Sequence, residues 1–295
     1  MGMTEGRGRV NNQMVSEMRI KITWLLLSSI MILSSASLLF QIRDLEPLLS
    51  MNASKMLIPI ALTLLHASVV FAHSRGLLLV LLSFLMGLAF ESVGVRFGFL
   101  FGSHYAYNNE EFGLVLLGVP LIVPMYWAVF IYLGYSITTS FLVWTNKHKP
   151  EMRRNDFAVL PLLIMLDGMI VVAIDIFLDP LMVFHDKWFW PGGGPYFGIP
   201  IGNFVAWFLV TIVTTGIFRV FEWRFAQQPK QVDKSVYVTP VVAYAALCGS
   251  FAALAIDANL HDLVIIGIAA MMPVVCVNLF CFLFWRNDPS HSTCL

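Results

Sequence analysis

Residues 157–179 read FAVLPLLIMLDGMIVVAIDIFLD, an apolar run broken by the aspartates Asp167, Asp175 and Asp179. The run matches the ~20 residues that a helix needs to cross a bilayer. A second such run, 77–95, carries Glu91. An ionisable group in lipid costs roughly 2.5–3.5 kcal/mol on insertion scales, so carboxylates kept there are expected to have a use. Desolvation disfavours the charged form, so a buried carboxyl tends to hold its proton. A proton donor in an apolar pocket suits acid chemistry on an apolar substrate. The alternative is that these acids pair with His or Arg and lock helices together.

The rest of the composition agrees with a membrane chain. Of 295 residues, 58% are hydrophobic and 12% charged, with a mean hydropathy of +0.78. A soluble domain is about a quarter charged, so the expected class is an all-α polytopic integral membrane protein. The formal net charge of zero argues against a nucleic-acid partner, which selects for a basic surface. Cys248, Cys276, Cys281 and Cys294 form no Cys-x-x-Cys and imply neither a zinc site nor a disulfide framework.

Hydropathy places about eight transmembrane helices, at 22–40, 56–73, 77–95, 118–144, 157–179, 201–221, 236–256 and 263–285. The first is too long for a signal peptide, although Ser35-Ala36-Ser37 loosely resembles a cleavage site. With the N-terminus inside, the inner segments hold 14 of the 18 basic residues, Arg219 among them, and the outer ones hold 4. That asymmetry sets orientation. Trp24, Trp144, Trp223 and Trp285 then fall at the inner interface, where indoles prefer to sit. The expected arrangement is a single multi-pass domain in the cell membrane. Both its tails, 1–21 and 286–295, would be cytoplasmic.

Two segments share a pattern. Gly118-Val119-Pro120-Leu121 precedes Trp127, and Gly198-Ile199-Pro200-Ile201 precedes Trp207. In each, a Trp stands seven residues after a Pro that suits the first turn of a helix. Each pattern follows a helix with an acid near its outer end. The reading is two parallel helix-loop-helix repeats, 77–145 (spans three and four) and 157–222 (spans five and six), about a pseudo-twofold axis along the membrane normal. Their loops, Phe99–Asn109 and Trp188–Gly198, are rich in glycine and aromatic residues and are expected to fold back as a cap. Gly192, Gly193 and Gly194 are not followed by Lys-Ser/Thr and are no phosphate loop.

The chemistry follows from this placement. Asp175 and Asp179, four residues apart, share a helix face, with Asp167 about 80° round and two turns away. Glu91 meets that face if the repeats pack together, and Asn203 enters the same region. The seven histidines form no His-x-x-x-His or His-x-x-His-His box, and His66 with His73 is weak metal evidence. No metal and no cofactor is expected. Asp175-x-x-x-Asp179 could hold magnesium against a diphosphate, as in membrane prenyltransferases, but only Lys187 stands nearby to neutralise one. A carotenoid or isoprenoid cyclase would use the same acids while excluding water. A lipid transporter would instead break its helices in mid-membrane.

The distributed run Glu91, Gly94, Gly98, Gly102, Tyr105-Ala106-Tyr107, Gly118-Val119-Pro120 and Trp127, then Asp175, Asp179-Pro180, Trp188-Phe189-Trp190, Gly194, Tyr196 to Pro200, Asn203-Phe204 and Trp207, resembles the carotenoid-biosynthesis membrane family. That family includes bisanhydrobacterioruberin hydratase and the carotenoid 1,2-hydratases. The match covers roughly residues 85–210. The resemblance implies a cofactor-independent hydro-lyase that adds water to the terminal isoprenoid double bond of an acyclic carotenoid. Its partners would be that apolar substrate, membrane lipid and other membrane enzymes of the pathway. Hydration needs a strong proton donor, a shielded tertiary cation and one placed water. Asp175 or Asp179 is the expected acid, with Glu91 as its partner in either order. Tyr105, Tyr107, Trp127, Trp188, Tyr196 and Trp207 are expected to line the substrate and shield the cation. His104 and Asn203 are expected to hold water. Asp167, deeper, is expected to pack helices.

Overall fold

The computed structural model describes residues 14–22 except 16 and 19, 53–71, 75–108, 112, 114–145, 158–225 and 234–286. In chain order the helices are α1 (Ala53–Val70), α2 (Arg75–Phe97), α3 (Ile122–Thr145), α4 (Leu160–Phe184), α5 (Ile201–Arg224), α6 (Thr239–Asp257) and α7 (His261–Arg286). The short strands are β1 (Ala106–Tyr107), β2 (Val115–Leu116), β3 (Val119–Pro120) and β4 (Trp188–Phe189). The six helices α2 to α7 are long and apolar enough to cross a membrane, and α1 contributes the shorter apolar stretch Leu57–Val70. The span expected at 22–40, apart from its first residue, lies outside the described residues, as do His73, Asn109 and all of the C-terminal tail after residue 286.

Helix α3 is the hub. It packs on each of the other six helices named here, and 78% of its most apolar window is buried, against 28% for α7. The single Ser140 Oγ hydrogen has two acceptors in reach, Ser136 O at 2.7 Å within the helix and Tyr237 O at 2.5 Å from the segment before α6. Close approach to α3 depends on a small-residue face of α2. A Cβ on Gly87 would stand 2.6 Å from Trp127 Cβ, the same logic that places small residues at membrane-helix contacts.

The loops at one end form β-structure that hydropathy does not foresee. Strand β1 pairs antiparallel with β4, Ala106 opposite Phe189 and Tyr107 opposite Trp188, which ties the two loops together. Strands β2 and β3 make a hairpin turned by Leu117 (φ 54°) and Gly118 (φ 85°). Tyr196 and Ile199 bridge around Phe197 (φ 49°) and Gly198 (φ 83°) in the same way. Two consecutive positive φ values define the two-residue turn that suits strand twist, with glycine favoured because it carries no Cβ. Both Gly-x-Pro segments therefore adopt one backbone shape. This corrects the expectation that the prolines open helices: Pro120 lies in β3 and Pro200 caps α5 in extended conformation (φ −66°, ψ 142°). The helix begins only after the turn is complete, so α3 starts at Ile122 rather than 118.

At the opposite end, Asp167 is fully buried and paired with Arg219. Arg219 Nε and Nη2 donate to the two carboxylate oxygens at 2.6 and 2.7 Å, and Thr138 Oγ1 donates to Oδ1 at 2.6 Å. The guanidinium also lies over the Tyr135 ring, 4.2 Å from its centroid. Arg219, expected among the inner-side charges, is thus a buried helix-to-helix tie at 1% exposure. Removing one partner leaves an uncompensated charge, so Asp167→Asn or Arg219→Met alone should destabilise the fold by about 3–5 kcal/mol. The double variant should recover most of that loss. Unfolding in detergent checks this, and a double variant as unstable as the worse single one would contradict it.

Candidate functional site

Near the loop end of the bundle, three donors converge on Glu91. Trp127 Nε1 donates to Oε1 at 2.7 Å, Tyr107 OH donates to Oε2 at 2.6 Å, and Tyr105 OH also donates to Oε2. Each donor reaches α2 from another element: Trp127 from α3, Tyr107 from β1 and Tyr105 from the loop before it. Gly94, one turn beyond Glu91, makes room for them, since a Cβ there would stand 2.4 Å from the Phe101 ring and 2.9 Å from Tyr105 OH. A carboxylate oxygen has two lone pairs. Among the described residues Oε2 has two donors, whereas Oε1 has one and keeps one acceptor site.

The second half of the site is built on α4 and α5. Asn203 Nδ2 donates both its hydrogens, to Asp175 Oδ2 at 2.9 Å and to Asp179 Oδ2 at 2.6 Å. The two carboxyls lie within hydrogen-bonding reach of each other, and the Trp188 indole reaches Asp179. Asp175 Oδ1 receives no hydrogen bond from the described residues. Glu91 is near enough to act electrostatically on both aspartates. Trp127 and Trp207 stack between the two halves with ring centroids 4.0 Å apart.

A cavity of about 260 Å³ opens between these groups. Glu91, Tyr105, Tyr107, Trp127, Asp179, Trp188, Asn203 and Trp207 line its loop end, and Lys or Arg is absent from its lining among the described residues. Three expected residues stand elsewhere. Asp175 sits behind Asp179 and does not reach the cavity wall. His104 is exposed and packs over Gly98. Tyr196 OH donates to Ile176 O at 2.9 Å, beside the Phe204 ring.

Other lining residues had no role in the sequence reading. Phe101 and Trp190 close the loop end, Pro59, Leu62 and Thr63 come from α1, and Ala243, Ala246, Leu247, Phe251 and Leu254 from α6. The α6 set recurs at three- and four-residue intervals, a single helix face, and that periodicity was the available signal.

The loop phenols feel this setting. Burial and the adjacent Glu91 carboxylate push Tyr105 and Tyr107 well above the ordinary tyrosine range, and burial pushes Tyr196 up to about 12. Unfolded tyrosine ionises near 10, so above that pH the unfolded chain sheds protons that the folded one keeps. Stability should fall as pH rises from about 10 to about 12, measured as the unfolding midpoint against pH, and a flat profile there would refute the burial of these phenols. Gly94→Ala should cost about 1–3 kcal/mol through overpacking against Phe101 and Tyr105.

The comparisons bear on this arrangement. No curated protein and no solved structure matches the chain. A family model described as carotenoid biosynthesis protein matches residues 51–275, which include both halves of the site and every helix that lines the cavity. The chain belongs to that family, the carotenoid biosynthesis proteins, and is a membrane-embedded member of it.

Proposed function

We propose that the protein is a cofactor-independent hydratase that adds water to the terminal isoprenoid double bond of an acyclic carotenoid, giving a tertiary alcohol. The observation that carries this is the pairing of two kinds of carboxyl across one apolar cavity. Asp179 is backed by a second acid, and Glu91 is ringed by donors with one oxygen site left to accept.

Asp179 faces the cavity and is the proton donor in this reading. It delivers a proton to the less substituted carbon of the terminal double bond, and the positive charge falls on the tertiary carbon. Ring faces attract cations and exclude stray water, which gives the Trp127–Trp207 stack and Trp188 their role. A water held at Glu91 Oε1 adds to the cation through its oxygen and gives its spare proton to Glu91. Return of that proton to the aspartate pair closes the cycle, so one alkene and one water become one alcohol. Asp175 and Asn203 position Asp179. With the inner segments rich in basic residues, the loop end and this chemistry face outward, and both termini lie in the cytoplasm. Two equivalent halves about a pseudo-twofold axis fit the matching turns and the stacked tryptophans.

A prenyltransferase would need cations beside the aspartates to hold a diphosphate, whereas the neighbours here are an amide, rings and a third carboxylate. A cyclase would share the acid and the rings but would have no use for a water acceptor at Glu91. The test is mass spectrometry of pigments from a host that makes acyclic carotenoids, grown with the chain in oxygen-18 water. Hydration adds one labelled water per reacted end, and cyclisation leaves the mass unchanged. Asp179→Asn and Glu91→Gln should each lower product about 10²–10⁴-fold, the usual share of general acid–base catalysis. Asp175→Asn should cost less, because it acts through Asp179. A labelled product undiminished in Asp179→Asn would remove the proposed acid.

A further inference from the structure

The cavity is deeper than the chemistry requires. Its acids stand at the loop end, yet along α6 its wall continues from Leu254 to Ala243. At ~1.5 Å per residue that is about 17 Å of rise. On α3 it continues as far as Leu133, a comparable distance from Ile122. A polyene of forty carbons is about as long as the ~30 Å hydrocarbon core, so this shaft has room for one end and about half of such a chain.

The shaft also changes calibre along α6. Near the acids the face presents Phe251 and Leu254, with Leu247 midway, while at its deep end it presents Ala243 and Ala246. Position 247 is one turn below Phe251 and 243 one turn below Leu247, with 246 three residues from 243 on the same side, so the small side chains at 243 and 246 leave open the part of the shaft that only a long substrate reaches. At that depth His66 Nδ1 and Tyr132 OH are hydrogen-bonded at 2.7 Å, both buried, and His66 Nε2 stands 3.3 Å from Val236 O ahead of α6. A polar, filled layer gives an apolar chain no reason to go further.

We propose that Ala243 and Ala246 determine specificity for substrate length: they let the site take up about half of a long linear polyene, the reacting end at Asp179 and Glu91 and the chain along α6. This rests on the carotenoid reading above but not on the hydration step. Substrate binding and turnover then both depend on side-chain size at two positions far from the acids.

The experiment uses the full chain in membranes loaded with lycopene, an acyclic forty-carbon polyene. Two quantities are read, lycopene retained per protein after purification, by visible absorbance, and hydrated product. Ala243→Phe and Ala246→Phe fill the deep shaft, Ala246→Leu fills it in part, and Val242→Phe adds the same bulk on the exposed face of α6. The phenylalanine variants should each retain and hydrate about tenfold less than the unmodified chain, with Ala246→Leu between, while Val242→Phe should match it. Full retention in Ala246→Phe, or equal loss in Val242→Phe, would overturn the inference, as would an unmodified chain that retains no lycopene. Retention that follows side-chain size without any hydrated product would uphold the depth limit and sink the hydratase reading alone.

Discussion

Hydrocarbon offers no water to a carboxylate, so every acid in this bundle has to be held by groups of the protein itself. The fold meets that constraint in two ways. At one end Asp167 is matched by a guanidinium and a hydroxyl, and the guanidinium in turn lies over an aromatic face. At the other, Glu91, Asp175 and Asp179 are held by neutral donors, a phenol pair, an indole and one amide nitrogen. The first arrangement cancels charge and ties α4 to α5. The second leaves acids and acceptor sites available to whatever enters the cavity.

The donors reach the acids because the loops fold inward. Tyr105, Tyr107 and Trp188 belong to segments that join through the β1–β4 pair, and Trp190 donates from the same cap to Phe101 O at 3.3 Å. The repeated Gly-x-Pro turn delivers α3 and α5 in the same manner, which brings Trp127 against Trp207. An aromatic belt at a membrane surface would leave such rings at the lipid headgroups. Here they are the walls and roof of a cavity that is largely apolar along its length.

The sequence alone carried the class. Apolar runs of bilayer length, low charge and acids spaced by one turn are local features, and they specify helices and a shared face for Asp175 and Asp179 whatever surrounds them. The distributed motif likewise pointed to the carotenoid biosynthesis family, which the match over residues 51–275 bears out. Asp167 shows the boundary. Its depth in the run marked it as a packing acid, but its partner Arg219 stood among the surface charges, because hydropathy cannot tell a helix-end cation from one buried by a neighbouring helix.

What only the tertiary structure decided are relations between distant segments. Periodicity could not say that Asp179 faces the cavity while Asp175 stands behind it, since both occupy one face and the difference comes from where α5 and Trp188 lie. Nor could it move His104 away from the acids or recruit α6 to the wall. Helix formation is governed by bonds and side chains a few residues apart, so the chain's order determines it. A cavity is the space left where helices fail to fill a volume, and that depends on the shapes of all of them at once.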